Sequence, residues 1–587
     1  MRLLITGLVQ RFLKQIDYRK NLYPVISQVI SKGAIVTMAL ASISFFFFFL
    51  IKPIVIIMKK TFVADTRFTL AYLKLLLDNK QFFFYVFNSL KIGFTTTFFT
   101  TFIAFPLSLI NHKFTYKGKQ LVISLITLSM FVPPFVGSIG VKYFFSNYGS
   151  VNSLLMNLGI ISTPIPFLAS NSILAVVCIQ VLHLYPIMYL NLSSTLSNVD
   201  PSIEEASMIL GIKRFRHYKD IIWPLIRPGF FSGAILVFIW SFTDLGTPLM
   251  TNFHEVLSVG IFQQMSQVES NPYVYVMVFF MMCMTVFFLV LLKWILRVDH
   301  RHKMIGKSHA KRSMSKPSGK QAIGIYLGLT MLIVASLIPH IGVLLTSFSS
   351  SWCSTYLPSK YTLDNYRYLF SASCLVGIKN SLCYAVVATF INIGIGSFVA
   401  YVQVKKKVFM GGLVDAIVMM PLFFPSIILA FGYVITYMHT WLDPGKNPAT
   451  LLIMAYSMRY IPYTIRVCTA GLQQVNVSLE EASRVFGVSS LRTFFQITLP
   501  CILANLITSG LLVFSRTVLE VSESLLLATK EAYYPITKVI YALYCSHGDG
   551  PAKASALGLV ALLIIALIVF CTISFSRKKT RHTVRVQ

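Results

Sequence analysis

Charged residues are scarce in this chain of 587 residues: they make up 12% of it, and only 20 residues are Asp or Glu. Soluble domains usually carry about a quarter charged residues, so the composition excludes a water-soluble multidomain enzyme. The chain also lacks the patterns H-E-x-x-H and G-x-S-x-G, and its nine cysteines form no C-x-x-C pair. We therefore expect no catalytic centre of those classes and no fixed metal site.

Apolar residues, in contrast, make up 56% of the sequence. Twelve apolar stretches are long enough to cross a hydrocarbon core of about 30 Å as helices. Those of the first half are roughly 34–58, 83–110, 120–143, 171–192, 229–250 and 273–296. Those of the second half are roughly 322–347, 376–401, 409–437, 449–470, 501–521 and 555–576. The sequence therefore predicts an all-α polytopic membrane protein with about 12 spans in two six-helix bundles.

Positive charge sets the expected orientation, because 51 Lys and Arg against 20 acidic residues give a formal net charge of +31. Segments 111–120, 297–321 and 402–408 are rich in Lys and Arg, as is the C-terminal tail. The positive-inside rule places these segments and both termini in the cytoplasm. The predicted external loop 59–82 is the exception, with five Lys or Arg residues. In a membrane protein this bias marks topology, so membrane lipid rather than nucleic acid is the expected partner.

The predicted organisation has five parts, which follow from the spans and the basic segments between them. They are a basic cytoplasmic N-terminal segment (1–33), a first transmembrane domain (34–296), a basic cytoplasmic linker (297–321), a second such domain (322–576) and a basic cytoplasmic tail (577–587).

The two halves share an internal repeat. Residues 204–224 read EEASMILGIKRFRHYKDIIWP, and residues 480–500 read EEASRVFGVSSLRTFFQITLP. The copies are 276 residues apart, as Glu204 and Glu480 are, and each lies between the fourth and fifth span of its half. Both copies therefore face the cytoplasm, and the bundles form a parallel repeat about a pseudo-twofold axis along the membrane normal.

Each copy predicts a short helix that ends in a turn. Ser202 and Glu205 have the spacing of a capping box, as do Ser478 and Glu481. The Gly that follows, at 211 or 487, is typical of a helix end in the left-handed conformation. A helix of about two turns is stable only when it is docked against another surface. The repeated segment is thus expected to be a helix–turn–helix on the cytoplasmic face.

Here the sequence resembles the membrane subunits of binding-protein-dependent ABC importers, whose signature is Glu-Ala-Ala-x3-Gly-x9-Ile-x-Leu-Pro. The segment from Glu481 to Pro500 fits with Ser for the second Ala, and the segment from Glu205 to Pro224 also has Trp in place of Leu. The resemblance covers both halves and implies a fused, two-domain, type I importer-like permease of the bacterial inner membrane.

The resemblance also implies partners. In that family the repeated loop is a coupling helix that fits a groove on a cytoplasmic ATPase, and a periplasmic or lipid-anchored binding protein delivers the solute. Two ATPase copies are implied, and they hold ATP and Mg, so no cofactor is expected in this chain. The residues implied to contact the ATPase are Glu204, Glu205, Ala206 and Gly211 in one loop and Glu480, Glu481, Ala482 and Gly487 in the other.

The chain has no nucleotide-binding loop of its own. Its single Gly-Lys-Ser, at 306–308, has Arg301 where a phosphate-binding loop requires the first Gly. Since no such loop is present, ATP hydrolysis is expected in separate subunits.

Four polar residues are candidates for the translocation path: Asp244, Arg516, Glu520 and Glu523. Asp244 and Glu520 are equivalent in the repeat and lie in apolar surroundings. Carboxylates inside a membrane are costly unless they face a cavity or a partner. Two interpretations stay open: the acids face the path, or they bond a helix terminus near the external side. Arg516 has the i, i+4 spacing to pair with Glu520, and Pro133, Pro134, Pro421 and Pro425 are expected to kink the third and ninth spans.

Within the importer family, a fused chain of this length resembles the ferric-iron permeases, with 2-aminoethylphosphonate and thiamine permeases as relatives. Segments 242–249 and 520–525 carry this resemblance. Ferric ion favours hard oxygen ligands, whereas a phosphonate would favour the guanidinium of Arg516. The acids outnumber the base, so we expect ferric iron, with another small solute as the alternative. An ion-coupled secondary transporter also has twelve spans in repeated halves, but it does not require twin docking loops.

Overall fold

A computed structural model describes residues 33, 36–64, 67–130, 133–168, 172–267, 271–298, 315–405 and 411–584. Residues 1–32 of the predicted N-terminal segment, most of the linker with Gly306-Lys307-Ser308, and the last three residues of the tail lie outside the described residues. The helices of the first half are α1 (Val36–Phe62), α2 (Ala71–Leu77), α3 (Lys80–Lys113), α4 (Lys119–Leu128), α5 (Pro134–Phe145), α6 (Ser150–Asn157), α7 (Ile173–Ser197), α8 (Pro201–Ile209), α9 (His217–Phe242, entered through a turn at Arg214–Arg216), α10 (Gly246–Met250), α11 (Leu257–Gln263, followed by a 3-10 turn at Gln264–Gln267) and α12 (Tyr273–Val298).

The helices of the second half follow the same order. They are α13 (Gly319–Ser347), α14 (Asp364–Arg367, followed by a 3-10 turn at Tyr368–Phe370), α15 (Ala372–Lys405), α16 (Gly411–Phe423), α17 (Ser426–Tyr437), α18 (Pro448–Gln474), α19 (Val477–Val485), α20 (Phe494–Cys501, entered through a turn at Ser490–Thr493), α21 (Leu503–Val518), α22 (Ser522–Leu527, followed by a 3-10 turn at Glu531–Tyr533), α23 (Ile536–Tyr544) and α24 (Gly550–Val584). Among the described residues, strands form two small antiparallel pairs, β1 (Val63–Ala64) with β2 (Arg67–Phe68) and β3 (Ser349–Ser351) with β4 (Lys360–Tyr361).

The predicted fold class is confirmed. Eight described helices are long and apolar enough to cross a membrane, and two bent helix pairs raise the number to 10. The pair α4 and α5 and the more polar helix α18 occupy the places of the two remaining predicted spans. The chain is therefore an all-α membrane protein of about 12 spans in two repeated bundles.

Several predicted spans are broken rather than continuous, which corrects the sequence-based boundaries. The predicted span 409–437 consists of α16 and α17, which meet at 98°, and the span 501–521 ends at Val518 after a 67° bend with α20. The predicted span 229–250 ends at Phe242. In the third and ninth spans the prediction of proline kinks is confirmed. Pro133 and Pro425 precede α5 and α17 with the same φ of −56° and ψ of 138°, outside the helical region.

The first helix of each half packs on the other half. Helix α13 crosses α5 where Gly140 meets Gly342, and a Cβ on Gly140 would lie 2.5 Å from the carbonyl oxygen of Pro339. Small residues allow such close approach of backbones within a membrane. In the equivalent contact, the hydroxyls of Tyr433 and Tyr437 on α17 donate to the carbonyl oxygens of Phe49 and Phe48 on α1, each at 2.7 Å. One apolar core consequently contains residues of both halves.

A matching pair of polar contacts holds the loop after the fifth span to the second span of each half. The Ser89 hydroxyl accepts a hydrogen bond from the Leu257 amide at 2.9 Å, and the Ser381 hydroxyl accepts one from the Ile536 amide at 2.7 Å. Deeper in the same loops, Ser258 donates to the carbonyl oxygen of Asp244 at 2.7 Å. Thr537 donates to that of Glu520 at the same distance. The backbone positions of the two central acids are thus fixed in the same way.

Candidate functional site

The first cytoplasmic loop is built around α8. The Asp200 carboxylate accepts a hydrogen bond from the Ser202 amide at 2.9 Å at the start of the helix. At its end, Gly211 has a φ of 67°, in the left-handed region that Gly adopts without a steric penalty. The amides of Leu210 and Ile212 donate to the carbonyl oxygens of Ala206 and Ser207 at 3.0 and 3.1 Å. The predicted helix with a glycine turn is therefore present.

The second loop repeats this geometry. Asn476 accepts from the Ser478 amide at 3.1 Å, and Gly487 has a φ of 74°. The predicted capping boxes are wrong, because Ser202 and Ser478 lie inside the helices and the residues two positions earlier cap them. The Asp-Pro sequence at 200–201 was the available signal, since Pro is favoured at the first position of a helix.

The first Glu of each copy points into the protein. The Glu204 carboxylate lies 3.1 Å from Nε2 of His112 at the end of α3. The buried Glu480 carboxylate lies 3.4 Å from Nζ of Lys405 at the end of α15 and accepts from the Thr498 hydroxyl at 3.0 Å. These side chains attach each loop to the second span of its own half.

The outer face of each loop combines one acid with an apolar tip. Glu205 and Ala206, and likewise Glu481 and Ala482, are exposed, as are both turn glycines. Sequence reasoning missed the apolar tips, which are Ile209 (86% exposed) with Leu210 (76%) and Val485 (85%) with Phe486 (84%). Their positions just before the glycine, at the end of each exposed helix, were the available signal. Large exposed apolar side chains at matching positions are typical of a protein contact surface.

Each loop is also tied to the helix that leads back into the membrane. Ser207 lies 2.6 Å from Nδ1 of His217, and Ser483 lies 2.7 Å from the Thr493 hydroxyl. Both returning helices begin with a π-helical turn, at His217–Ile222 and Phe494–Thr498. A displacement of either loop would therefore reach the fifth or eleventh span directly.

Asp244 lies in the break between α9 and α10, near the boundary between the halves. Its carboxylate accepts hydrogen bonds from Nε2 of Gln180 at 3.0 Å and from the Gly246 amide at 3.1 Å. The Gln180 side chain is itself held by the hydroxyls of Ser241 and Thr96. Asp244 thus has a fixed orientation, and the first half supplies all these contacts.

The second half arranges its acids differently. The Tyr460 hydroxyl donates to the Glu520 carboxylate. Glu523 is fully buried, and neither of its carboxylate oxygens has a hydrogen-bond partner among the described residues. The predicted pairing of Arg516 with Glu520 is wrong, since no ion pair joins these two described residues. The reason is that α21 ends at Val518, so the helical i, i+4 spacing does not apply.

The two breaks after the fifth and eleventh spans meet each other. A Cβ on Gly246 would lie 3.5 Å from Cγ1 of Val521 and 3.2 Å from Cβ of Phe135. Asp244 and Glu520 therefore flank a contact between the halves, as expected for residues near the pseudo-twofold axis. Across the described part of the chain, no group of three His, Cys, Asp or Glu side chains is close enough to hold a metal ion.

Comparison with known proteins agrees with this geometry. The sequence pattern of the family described as "Binding-protein-dependent transport system inner membrane component" matches residues 104–298 and 392–578. The chain is 26% identical over 493 residues to the ferric transport system permease protein FbpB of Actinobacillus pleuropneumoniae, which covers 81% of this chain and 68% of that protein. It is 26% identical over 454 residues to a putative ferric transport system permease protein of Haemophilus influenzae, covering 75% and 69%.

A third relative has a different named solute. The molybdate/tungstate transport system permease protein WtpB of Pyrococcus furiosus is 28% identical over 204 residues, covering 35% of this chain and 78% of that protein. The family match includes both repeated loops and both central acids, and it lies in two separate stretches, one in each half. The repeat found in the sequence is therefore a repeat of the family's permease domain.

Proposed function

Since the chain belongs to the family of binding-protein-dependent transport system inner membrane components, we propose that it forms the translocation path for ferric iron in an ABC importer. The family makes it a multi-pass inner-membrane permease subunit that works with an ATPase and a solute-binding protein. In our proposal the subunit itself is non-catalytic and holds no cofactor. Two copies of a cytoplasmic ATPase dock on the two loops, and both termini are cytoplasmic.

The observation that carries the proposal is the pair of matching loops. Each presents an exposed acid, at Glu205 or Glu481, beside an exposed apolar tip. Burial against a partner would remove the apolar tips from water. In this proposal Glu204 and Glu480 hold each loop to the second span of its half, while the exposed residues contact the ATPase.

The choice of ferric iron rests on two kinds of support. The relatives that align over most of this chain are named ferric permeases, whereas the molybdate/tungstate permease aligns over about a third of it. Three carboxylates lie near the contact between the halves, at Asp244, Glu520 and Glu523, and carboxylate oxygens suit a hard cation. We therefore rank ferric iron above a phosphonate, thiamine or an oxyanion.

Charge reversal on both loops tests the coupling proposal. Glu205→Lys combined with Glu481→Lys should prevent co-purification of the ATPase and abolish ATP-driven uptake. Asp364→Lys, at an exposed acid outside the repeated loops, is the control and should leave both unchanged. Intact complex formation and transport in the double variant would refute the docking assignment. Uptake driven by an ion gradient without ATP would favour the secondary-transporter alternative.

A separate experiment tests the solute. Cells with and without this chain are supplied with labelled ferric iron, 2-aminoethylphosphonate or thiamine. We expect iron alone to accumulate in a chain-dependent manner. Equal iron accumulation in both cell types would refute the choice of iron but would not affect the permease assignment.

A further inference from the structure

A cavity of about 140 Å³ lies beside Asp244 in the first half. It is an open cavity lined by side chains of three helices of that half and by the break that contains Asp244. The residues that line it are Pro134, Gln180, His183, Leu184, Trp240 and Asp244. The cavity is adjacent to Gly246, where the two halves touch. It therefore lies next to the pseudo-twofold axis but on one side of it.

The repeat identifies the residues at the equivalent place in the second half. With the same spacing that relates Asp244 to Glu520, the counterparts of Gln180, His183, Leu184 and Trp240 are Tyr456, Arg459, Tyr460 and Arg516. Tyr456, Arg459 and Tyr460 each have a larger side chain than their counterpart in the first half. Arg516 does not, because its counterpart is Trp240. The second half therefore has more side-chain volume available at the place where the first half has a cavity.

These larger side chains are held by contacts within the second half. Tyr460 donates its hydroxyl hydrogen to the Glu520 carboxylate. The Tyr456 hydroxyl lies 2.7 Å from the Ser524 hydroxyl. Arg459 donates to the carbonyl oxygens of Pro421 and Phe424, at the break between α16 and α17. The guanidinium thus stabilises the broken ninth span and does not neutralise a central carboxylate by direct contact.

The charge of the cavity favours a cation. Asp244 accepts hydrogen bonds only from neutral donors, the Gln180 amide and the Gly246 backbone. Within the described ranges, no Lys, Arg or His nitrogen forms an ion pair with its carboxylate. A carboxylate that lines a water-sized cavity without a cationic partner attracts a cation, because its charge is poorly screened there.

The volume of the cavity restricts the size of that cation. An apolar cavity of about 150 Å³ holds one benzene molecule, and one water needs at least about 10–15 Å³. A cavity of 140 Å³ therefore has room for a metal ion with several of its waters. Thiamine, with two linked rings, exceeds it, and a phosphonate carries the wrong charge for Asp244.

We propose that the cavity is a one-sided transit site for a partly hydrated trivalent cation, with Asp244 as its charged ligand. Gln180 positions the carboxylate, and the imidazole of His183 and the ring of Trp240 complete the walls. In the second half, the larger Tyr456 and Tyr460 stand at the positions equivalent to Gln180 and Leu184. This inference rests on the proposed transport of ferric iron. It specifies the half of the protein that receives the ion and the residues that contact it.

Two substitutions test the site from different directions. Asp244→Asn removes the charge with little change in shape. Leu184→Tyr installs the residue that the second half has at the same position and fills the cavity. Leu174→Tyr is the matched control, because Leu174 is on the same helix and its side chain is 65% exposed on the outer surface. Each variant is assembled with its ATPase and binding protein in liposomes, and uptake of ⁵⁵Fe(III) is measured together with ATP hydrolysis.

We expect Asp244→Asn and Leu184→Tyr each to lower ⁵⁵Fe(III) uptake at least tenfold while ATP hydrolysis and complex assembly persist. Leu174→Tyr should retain uptake, and Glu520→Gln should lose less than Asp244→Asn. Equal losses at Asp244 and Glu520, or full uptake by Leu184→Tyr, would overturn the one-sided site. Absence of ⁵⁵Fe(III) uptake by the unmodified complex would instead refute the proposed solute, so the two failures are distinguishable.

Discussion

The apolar tip of the second loop offers the sharpest test of docking. Phe486 is 84% exposed and immediately precedes the glycine turn, while its counterpart Leu210 is 76% exposed. If the ATPase groove covers the tip, Phe486→Ala removes one large side chain from the interface. The substitution leaves the chain's own packing unchanged, since the ring makes few contacts within it.

The size of the effect follows from burial. Fully burying a Phe or Leu side chain contributes about 1.5–3 kcal/mol, and each 1.4 kcal/mol changes an affinity about tenfold. Phe486→Ala should therefore weaken ATPase binding by about ten- to a hundredfold. Leu210→Ala should have a similar or smaller effect, because the Leu side chain is smaller. Aromatic side chains are also over-represented among the residues that dominate interface energies.

The measurement is the affinity of the purified ATPase for the permease in lipid nanodiscs, followed by ATP-driven uptake. Trp441→Ala is the control, since Trp441 is a comparably exposed aromatic residue in the loop between α17 and α18. That loop is at the opposite end of α18 from the repeated loop that contains Phe486. Unchanged ATPase affinity in Phe486→Ala, or an equal loss in Trp441→Ala, would refute the assignment of the tip to the ATPase.

Three stability predictions concern contacts inside the chain, and each is measured as a shift of the thermal unfolding midpoint of the purified protein. Gly342→Val forces a side chain against the backbone of Gly140 and should cost about 1–3 kcal/mol, whereas Gly324→Val on the same helix meets open space and should be neutral. Lys405→Ala leaves the buried Glu480 carboxylate without its cation and should cost about 3–5 kcal/mol; an unchanged midpoint would contradict the inward role of Glu480. Tyr433→Phe removes the hydrogen bond to α1 and should cost about 1 kcal/mol, with Tyr463→Phe as the control.

Hydropathy and the internal repeat were sufficient to predict the fold class, because span length and repeat register are properties of the linear sequence. The breaks in the spans were predictable only where proline marks them, at Pro133 and Pro425. The bend at Ile502, between α20 and α21, was missed: Pro500 lies two residues before it, but its counterpart Pro224 lies within the continuous helix α9. A chain that runs through a bend remains apolar on both sides, so hydropathy alone cannot separate one bent span from one straight span.

Contacts between distant parts of the chain were the least predictable. The meeting of Gly140 with Gly342 joins two halves, and glycines are common in membrane helices, so neither residue stands out in the sequence. The predicted pairing of Arg516 with Glu520 was wrong because it assumed a helix that continues through Glu520. The observed helix α21 ends two residues earlier, at Val518. The apolar tips were missed because an Ile-Leu or Val-Phe pair beside long apolar spans carries no signal until its exposure is known.

The connection from the repeated loop to the central acid, Asp244 or Glu520, differs between the halves. This difference agrees with a one-sided site. In the first half, α9 is a single helix from His217 to Phe242, about 39 Å long at 1.5 Å per residue. It ends two residues before Asp244, so it links the first loop to the cavity through one continuous helix. In the second half, the 67° bend between α20 and α21 interrupts the same connection before Glu520.

A rigid helix transmits a displacement of its end, whereas a bent pair absorbs part of that displacement by changing its angle. In the proposed importer, equal movement of the two repeated loops would therefore displace Asp244 more than Glu520. The half with the unbroken helix has the cavity beside Asp244, whereas the half with the bend has Tyr456 and Tyr460 at the equivalent positions.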